Sequence, residues 1–274
     1  ASSAEPVGPG PTPASQLTEP GEALVGIWGS GPSDVFVVGA KGSILRYDGR
    51  SWTRQHSSET TLRRIWGSGA DDVYVVGDGV PVLHYDGIRW SATGPRTKWW
   101  SGLLGVGRDE VYVVAGDVQR FDGARWSTEN LNGVELNELG GAKGQILGLS
   151  RESVFAREAG AWGEVPISTA REPVCPRAVW SNGMDVVVVG DFGTTLHGSQ
   201  EALRGAPNPS DADLQTVWAS GPRDVFALGR RHEVLHFDGR RWARMKVPRG
   251  ARPSTLWGLA SDRVFAVGQE ILQY

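Results

Sequence analysis

Three aspartates in short loops are the side chains of this sequence best suited to acid–base chemistry. Asp78, Asp117 and Asp191 follow apolar runs, and Arg230 and Arg231 occupy a similar place farther along the chain. Two carboxylates about 5–10 Å apart can cleave a glycosidic bond. Carboxylates facing guanidinium groups instead suit the binding of a polar ligand such as a saccharide or a peptide. Mixed charges are also common in solvated loops, so the sequence predicts ligand contacts here rather than catalytic residues.

The histidines and the single cysteine form no recognisable catalytic or metal-binding pattern. No spacing signals a Ser–His–Asp triad or a Cys–His pair, and zinc, P-loop and dinucleotide motifs are absent. The nearest approach to a calcium loop, Asp211-Ala212-Asp213, reads as an ordinary polar loop. Cys175 has no second cysteine with which to form an intrachain disulfide. The sequence therefore predicts no catalytic residue, no metal site and no cofactor.

The overall composition excludes several classes of protein. With 31 acidic and 28 basic residues, the net charge of −3 lacks the basic excess of a nucleic-acid-binding surface. No apolar run approaches the roughly 20 residues of a transmembrane helix, so we expect a chain that does not span a membrane. The 38 glycines and 12 tryptophans, against only 2 methionines, favour short strands and tight turns over a helical bundle.

A repeat runs through almost the entire chain. The segment IWGSGPSDVFVVG at 27–39 recurs as IWGSGADDVYVVG at 65–77 and, less completely, five more times. Spacings between successive anchor positions are 36 to 40 residues. The seven anchors are Trp28, Trp66, Leu104, Gly140, Trp180, Trp218 and Trp257. Self-similarity at this period is typical of repeat architectures.

A second signature, Tyr/Phe-Asp-Gly-x-x-Trp, follows the anchor in most units. It ends at Trp52, Trp90, Trp126 and Trp242, whereas the fourth unit keeps only Trp162 and the fifth has Leu203 in that register. Asp-Gly between apolar runs favours a type I′ hairpin. Each unit therefore reads as four short strands, a to d. The predicted fold is an all-β, seven-bladed β-propeller of four-stranded antiparallel blades.

The N-terminal segment is expected to close the ring. Residues 1–20 are rich in Pro, Ala, Ser and Gly and cannot fold alone. Because the last unit stops after strand c, residues 14–18, which fall in the register of strand d, are expected to pair with it. We therefore expect a flexible leader at 1–13 and the propeller at 14–274. A leader of this kind often remains after an export signal is removed, so the sequence predicts an extracytoplasmic protein. The sequence is compatible with a lipid tether at the N-terminus and does not decide whether one is present.

The two signatures together resemble those of a known group of bacterial propellers. The pattern Trp-Gly-Ser-x-x-x-Asp-Val-Phe-x-Val-Gly with Tyr-Asp-Gly-x-x-Trp looks like BNR-type and photosystem II assembly-factor-like repeat proteins, and its second half is similar to kelch blades. The interval from Asp48 to Trp52 is one residue shorter than a sialidase Asp-box, and the kelch Gly-Gly pair is absent. The resemblance implies a propeller fold and an extracytoplasmic binding or assembly role. It implies no particular activity, because proteins that share a fold can differ in function.

Most residues that recur are expected to be scaffold. Ten of the twelve tryptophans sit at the two repeat positions and should pack the blades together. The aspartates that precede strand b are expected to accept backbone hydrogen bonds in the turn; they are Asp34, Asp72, Asp185 and Asp224. One position of strand c likewise belongs to the repeat; it holds Arg46, His84, Arg120, His197 and His236.

Residues that break the repeat on one face of the ring are the predicted ligand contacts. The loops from strand d to the next strand a, and from strand b to strand c, share that face. Trp99 and Trp100, the only tryptophans outside the repeat, lie in a d–a loop; either one is exposed, or both fill the gap left by Leu104. The b–c loops add Lys41, Asp78, Asp117, Asp191, Phe192, Arg230, Arg231 and His232.

Three functions fit these expectations. The first is a non-catalytic, extracytoplasmic module that binds a protein or carbohydrate ligand on the loop face. The second is a glycoside hydrolase or lyase that uses the loop carboxylates. The third is an assembly factor for a membrane complex, which a broad apolar patch would favour.

Overall fold

The chain forms a ring of antiparallel β-sheets that follow one another in sequence order. A computed structural model describes residues 22–142, 144–170, 172–248, 251–260, 263–268 and 271–273. The expected leader at 1–13 and the expected closing strand at 14–18 lie outside the described residues. Within the described part of the chain, the only helical element is a short 3-10 turn at Asp191–Gly193.

Six sheets have four or more strands and are called blades 1 to 6. Blade 1 consists of β1 (Leu24–Gly31), β2 (Asp34–Gly39), β3 (Ile44–Tyr47) and β4 (Trp52–His56). Blade 2 consists of β5 (Leu62–Gly69), β6 (Asp72–Gly77), β7 (Pro81–Tyr85) and β8 (Trp90–Arg96). Blade 3 consists of β9 (Gly102–Gly107), β10 (Glu110–Ala115), β11 (Asp117–Phe121) and β12 (Trp126–Thr128). Blade 4 consists of β13 (Glu138–Ala142), β14 (Gln145–Leu149), β15 (Val154–Glu158) and β16 (Ala161–Glu164). Blade 5 has five strands, β17 (Ile167–Ser168), β18 (Pro176–Ser181), β19 (Val186–Gly190), β20 (Thr194–Gly198) and β21 (Leu203–Gly205). Blade 6 consists of β22 (Leu214–Gly221), β23 (Asp224–Gly229), β24 (Val234–Phe237) and β25 (Trp242–Arg244).

The prediction of seven four-stranded blades is wrong, because the described residues form six complete blades. The remaining sheet has three strands, β26 (Pro253–Ala260), β27 (Arg263–Gly268) and β28 (Ile271–Gln273). Its last strand ends at Gln273, and the segment expected to supply a fourth strand falls outside the described residues. The architecture is therefore a β-propeller of six complete blades, with the three-stranded sheet between blade 6 and blade 1.

The strand that carries the anchor position faces the centre of the ring in each sheet; it is the first strand everywhere except in blade 5, where it is β18 and the added β17 lies at the outer edge. Each of these inner strands contacts the inner strand of the next sheet, and β26 contacts β1. At that junction the Ser254 hydroxyl donates to the Leu24 carbonyl at 2.7 Å. The described residues thus complete the ring through inner strands, and all d–a and b–c loops lie on one face, named here the loop face.

The anchor tryptophans pack adjacent blades together, as predicted. Trp66 of blade 2 lies on Gly105 of blade 3, and Trp28 lies in the same way on Gly67. A Cβ atom at either glycine would overlap the indole, which explains why Trp and Gly occur together in the repeat. The same contact joins Trp218 to Gly258 and Trp257 to Gly29.

The second tryptophan of each unit packs in the opposite direction around the ring. Trp90 on strand d of blade 2 lies edge-on to Phe36 of blade 1, with ring centroids 6.2 Å apart. Trp242 of blade 6 makes the equivalent contact with His197 of blade 5, at 5.9 Å. Blades are therefore held from both sides by buried aromatic rings, which are large contributors to core stability.

The Asp-Gly hairpins differ from the predicted turn type. Only the glycines have positive φ, +91° at Gly49 and +90° at Gly87, whereas a type I′ turn needs positive φ at both central residues. Asp48 instead binds the N–H groups of Arg50 and Ser51 through its side chain, both at 2.8 Å. These bonds keep the pKa of Asp48 below its usual range. Glycine at the first central position is the arrangement of a type II′ turn.

The aspartates before strand b bind side chains rather than the backbone of their turns. Asp72 of blade 2, which is 1% exposed, lies 2.8 Å from His84 Nε2 and also accepts from the Ser68 hydroxyl. Asp224 repeats this network with His236 at 2.7 Å, and in blade 1 Asp34 binds the Arg46 guanidinium, also at 2.7 Å. Each network joins strands a, b and c of one blade, so the strand c position is structural, as expected.

Blades 4 and 5 depart from this pattern. In blade 4, Gly140 stands at the anchor position in place of a tryptophan. The contact with blade 5 is made instead by a hydrogen bond: the hydroxyl of the buried Ser181 of blade 5 donates to the amide oxygen of Gln145 of blade 4. His197 is half-buried, and its buried Nε2 has no hydrogen-bond partner among the described residues. The connection 165–175 also adds β17, which pairs in parallel outside β21.

Candidate functional site

Two loops of the loop face are each supported by an Arg–Asp ion pair of the same kind. In blade 2, Arg63 donates to both oxygens of Asp78, through Nε at 2.5 Å and Nη2 at 2.7 Å. In blade 5, Arg177 donates to both oxygens of Asp191, with Nε at 2.9 Å from Oδ1. Both arginines lie three residues before their anchor, and both aspartates open a b–c loop. Bidentate Arg–carboxylate pairs restrict both partners to one geometry, so the two loops are held in place.

Trp99 and Trp100 have different environments. Trp100 is 3% exposed, packs with Tyr74 and Leu103, and donates its indole N–H to the Val80 carbonyl at 3.3 Å. Trp99 is 58% exposed, and Lys98 Nζ lies 5.2 Å from its ring centroid. The prediction that one of the pair is exposed is confirmed. Trp100 ties its loop to the b–c loop of blade 2, and Trp99 projects from that same place.

Phe192 is the matching aromatic residue of blade 5. It follows Asp191 directly, is 54% exposed, and has a φ of 55°, which is uncommon for a bulky residue. Its backbone N–H donates to Asp213 Oδ1 at 3.2 Å. The Arg177–Asp191 pair and Asp213 thus hold the backbone in this conformation while the phenyl ring stays accessible to solvent.

An ion pair joins the inner strands of two non-adjacent blades, past the inner strand of the blade between them. Arg64 on β5 donates to Glu138 Oε2 on β13 through Nη2 at 2.7 Å. Gly102 on the intervening β9 leaves the space free, since a Cβ there would lie 3.0 Å from Glu138 Oε1. The negative charge of Glu138 raises the pKa of the Arg64 guanidinium. Blades 2, 3 and 4 are therefore joined at their inner strands by a charged contact as well as by packing.

The predicted basic contacts of blade 6 lie beside a nearby acidic loop. Arg230 Nη1 is 3.8 Å from Asp213, and Arg231 Nη1 is 3.9 Å from Asp211. Both arginines are largely exposed. They therefore face carboxylates of the preceding d–a loop.

His232 and Lys41 belong to loops that are fixed through polar contacts. His232 has a φ of 61° and donates from Nδ1 to the Pro253 carbonyl at 3.0 Å. The backbone N–H of Lys41 donates to the buried carboxylate of Glu22 at 2.7 Å. That both residues contact a ligand stays a prediction.

The three predicted loop carboxylates come from blades 2, 3 and 5. Asp78 and Asp191 are engaged by arginines of their own blades, whereas Asp117 is exposed at the start of β11. Among the described residues, no group of three or more His, Cys, Asp or Glu side chains is arranged to hold a metal ion. In the same part of the chain, no helix is long and apolar enough to cross a membrane.

Four residues of this face were not predicted as site residues. Arg63, Arg64, Glu138 and Arg177 lie two or three residues before an anchor position. The repeat places Val25 and Gly26, or Ser101 and Gly102, at the same positions in other blades. Charge at these inner-strand positions is a departure from the repeat that sequence inspection could have detected.

Comparison with known proteins shows the fold. No protein-family model matches the chain, and no curated protein matches it. The structure is similar to YCF48 from Cyanidioschyzon merolae, with a TM-score of 0.72 and 16% identity over 92% of this chain and 95% of that one. YCF48 bound to a D1 peptide gives the same score and identity over 92% and 91%. The extracellular domain of BT4673 from B. thetaiotaomicron has a TM-score of 0.74 and 11% identity over 92% of this chain and 38% of that one. These likenesses agree with the strand topology: the chain is a β-propeller.

Proposed function

We propose that this protein is a non-catalytic binding module whose loop face holds a segment of a partner protein. The observation that carries the proposal is the pair of exposed aromatic rings, Trp99 and Phe192, each beside a loop that a bidentate Arg–Asp pair supports. Aromatic and arginine side chains dominate the energetics of protein interfaces. Both rings lie on the loop face, Trp99 in the loop between blades 2 and 3 and Phe192 in blade 5.

Rigid support of the two rings favours binding. Trp99 is held through the neighbouring Trp100, and Phe192 through Asp191 and Asp213. A contact residue that is already ordered loses less conformational freedom on association. The strained backbone of Phe192 is consistent with this role, because sparsely populated conformations cluster at binding sites.

The similar structures support a protein partner at the level of the fold. YCF48 binds a D1 peptide in a solved structure, and the BT4673 domain is extracellular. An assembly role is one form that such binding would take. The extracytoplasmic location stays a prediction that the leader composition motivates.

The hydrolase alternative has less support than binding. Both oxygens of Asp78 and Asp191 already accept hydrogen bonds from arginines of the same blade. Each carboxylate would have to give up that pairing in order to reach a substrate. Their positions suit the support of loops better than proton transfer.

The test is selection of random twelve-residue peptides displayed on phage against the immobilised full chain. We expect enriched peptides whose affinity falls about tenfold or more in Trp99→Ala and in Phe192→Ala, as for interface hot spots. The matched controls are Ile88→Ala and Met184→Ala. These residues are 88% and 76% exposed, and both lie in turns on the opposite face.

Melting temperatures of all four variants should match the unsubstituted protein. Peptides that bind Trp99→Ala and Phe192→Ala as well as the original chain would overturn the proposal. A glycan array probed in parallel addresses the carbohydrate alternative. Glycan binding that depends on Trp99, with no enriched peptide, would replace the protein partner with a saccharide.

A further inference from the structure

A pocket opens on the loop face where blade 4 meets blade 5. It has a volume of about 480 Å³, within the range of ligand sites. Its walls come from the b–c loop of blade 4, from the end of β16, and from the connection 165–175 that carries β17. Because β17 pairs outside β21, this connection passes along the outer edge of blade 5 before it enters β18.

The lining combines an apolar floor with carboxylates. Val165 is 3% exposed and belongs to a hydrophobic cluster against which Ile167 and Val174 also pack. Glu152, Glu164 and Glu172 line the same pocket and are exposed to solvent. The Ser153 hydroxyl donates to Glu164 Oε1 at 2.5 Å and holds that carboxylate at the pocket wall. Among the described residues that line the pocket, none is basic.

From this geometry we infer that the pocket binds a lysine or arginine side chain of the partner protein. A long basic side chain has an aliphatic stem that can cover the apolar floor and a cationic end that can reach the carboxylates. A purely apolar side chain would cover the floor but gain nothing from the carboxylates, and an anion would be repelled by them. The inference deepens the proposed function and rests on it for the nature of the partner.

The location of the pocket agrees with this assignment. It opens on the face that carries Trp99 and Phe192, and Asp191 and Phe192 belong to blade 5, which forms one side of the junction. A peptide that lies across the loop face can therefore reach the pocket with one side chain. The pocket exists because the fourth and fifth units depart from the repeat, and the regular blades lack the added strand.

The experiment uses two small probes that differ only in the cationic group. N-acetyl-lysine methylamide and N-acetyl-norleucine methylamide are titrated into the ¹⁵N-labelled full chain. The lysine probe should shift the backbone amides of Ser153, Val165, Ile167 and Val174 saturably. The norleucine probe should shift them much less at equal concentration.

Glu152→Gln and Glu164→Gln should each weaken the lysine probe about twofold to fivefold, as expected for one exposed ion pair. The double variant should weaken it further. The matched control is Glu201→Gln, an exposed glutamate of a c–d turn on the opposite face, which should leave binding unchanged. Amide spectra that otherwise superpose show that the variants are folded.

Three outcomes would overturn the inference: no shift with the lysine probe, equal binding of both probes, or unchanged binding in the double variant. Because the probes do not require the partner, this failure is distinct from that of the loop-face proposal. Phage-selected peptides that need Trp99 and Phe192 would then leave the loop-face site standing without the pocket.

Discussion

The junction between blades 2 and 3 and the junction between blades 4 and 5 solve the same packing problem differently. At the first, the Trp66 indole lies directly on Gly105. At the second, Gly140 stands in place of the tryptophan, and a hydrogen bond joins Ser181 to Gln145. A large apolar contact is thereby replaced by a smaller polar one.

The difference shows how a repeat protein can separate stability from function. The Trp–Gly junctions recur and hold the ring together. The junction of blades 4 and 5 lacks that contact, and the same region carries the extra strand β17 and the carboxylate-lined pocket. Departures from local rules are expected at functional sites, and here they concentrate in one sector.

The largest effect is expected from removing a regular junction. Trp66→Ala should lower the free energy of unfolding by about 3–5 kcal/mol, the usual cost of deleting a packed aromatic side chain. Trp99→Ala is the matched control and should stay within about 0.5 kcal/mol, because Trp99 is 58% exposed. Urea unfolding measures both. Similar losses in the two variants would mean that the Trp–Gly contact is not what stabilises the junction.

A smaller effect is expected at the polar junction. Ser181→Ala leaves the amide oxygen of the buried Gln145 without its partner, which should cost about 1–3 kcal/mol. Replacing both partners, in Gln145→Leu/Ser181→Ala, should recover most of that loss, since the buried amide oxygen is then gone as well. The Gly183 N–H, which donates to Ser181 Oγ at 3.0 Å, also loses its partner, but it is only partly buried and can bind water. The double-mutant cycle is read from urea midpoints. A double variant that loses the sum of both single effects would contradict this account.

The two regions also differ in how acid affects them. Burial lowers the pKa of His197, so the unfolded chain takes up its proton more readily than the folded one. Its contribution to stability is therefore present above the unfolded value of about 6.5 and is lost as the pH falls below it. His197→Phe should flatten the decline in the urea midpoint between about pH 7 and pH 5. A decline that stays equally steep would contradict the prediction.

Blade 2 should respond at lower pH. Burial tends to raise the pKa of Asp72, but hydrogen bonds from His84 and Ser68 and the nearby charges of His84 and Arg108 outweigh it, so the pKa is lowered. The stability that Asp72 adds is present above the unfolded value of about 3.9 and is lost as the pH falls through the lower folded value. Asp72→Asn should remove this acid-sensitive part, measured by urea midpoints below about pH 4.5. This window lies below that of His197→Phe, which distinguishes the two variants.

Much of the scaffold could be predicted because particular residue types recur at fixed positions of the repeat. Trp28 and Trp66 mark inner strands, and Asp-Gly marks each outer hairpin, since these residues satisfy local steric demands. The prediction of a type I′ turn was wrong because the Asp48 side chain accepts hydrogen bonds from the backbone of the turn. The Asp-Gly dipeptide alone does not reveal these bonds. Of the residues predicted to contact a ligand, Trp99 and Phe192 are exposed, whereas Trp100 belongs to the core. That the exposed residues contact a ligand stays a prediction.

The sequence by itself determined the strand order, the inner position of each anchor and the face on which the irregular loops lie. These follow from spacing, because one period of the repeat makes one antiparallel sheet. The tertiary structure decided the number of complete blades and the support of Asp78 and Asp191 by Arg63 and Arg177. It also decided the pairing of Arg64 of blade 2 with Glu138 of blade 4, and the pocket between blades 4 and 5. Such contacts join residues that are far apart in the chain, and their geometry exists only once the ring has formed.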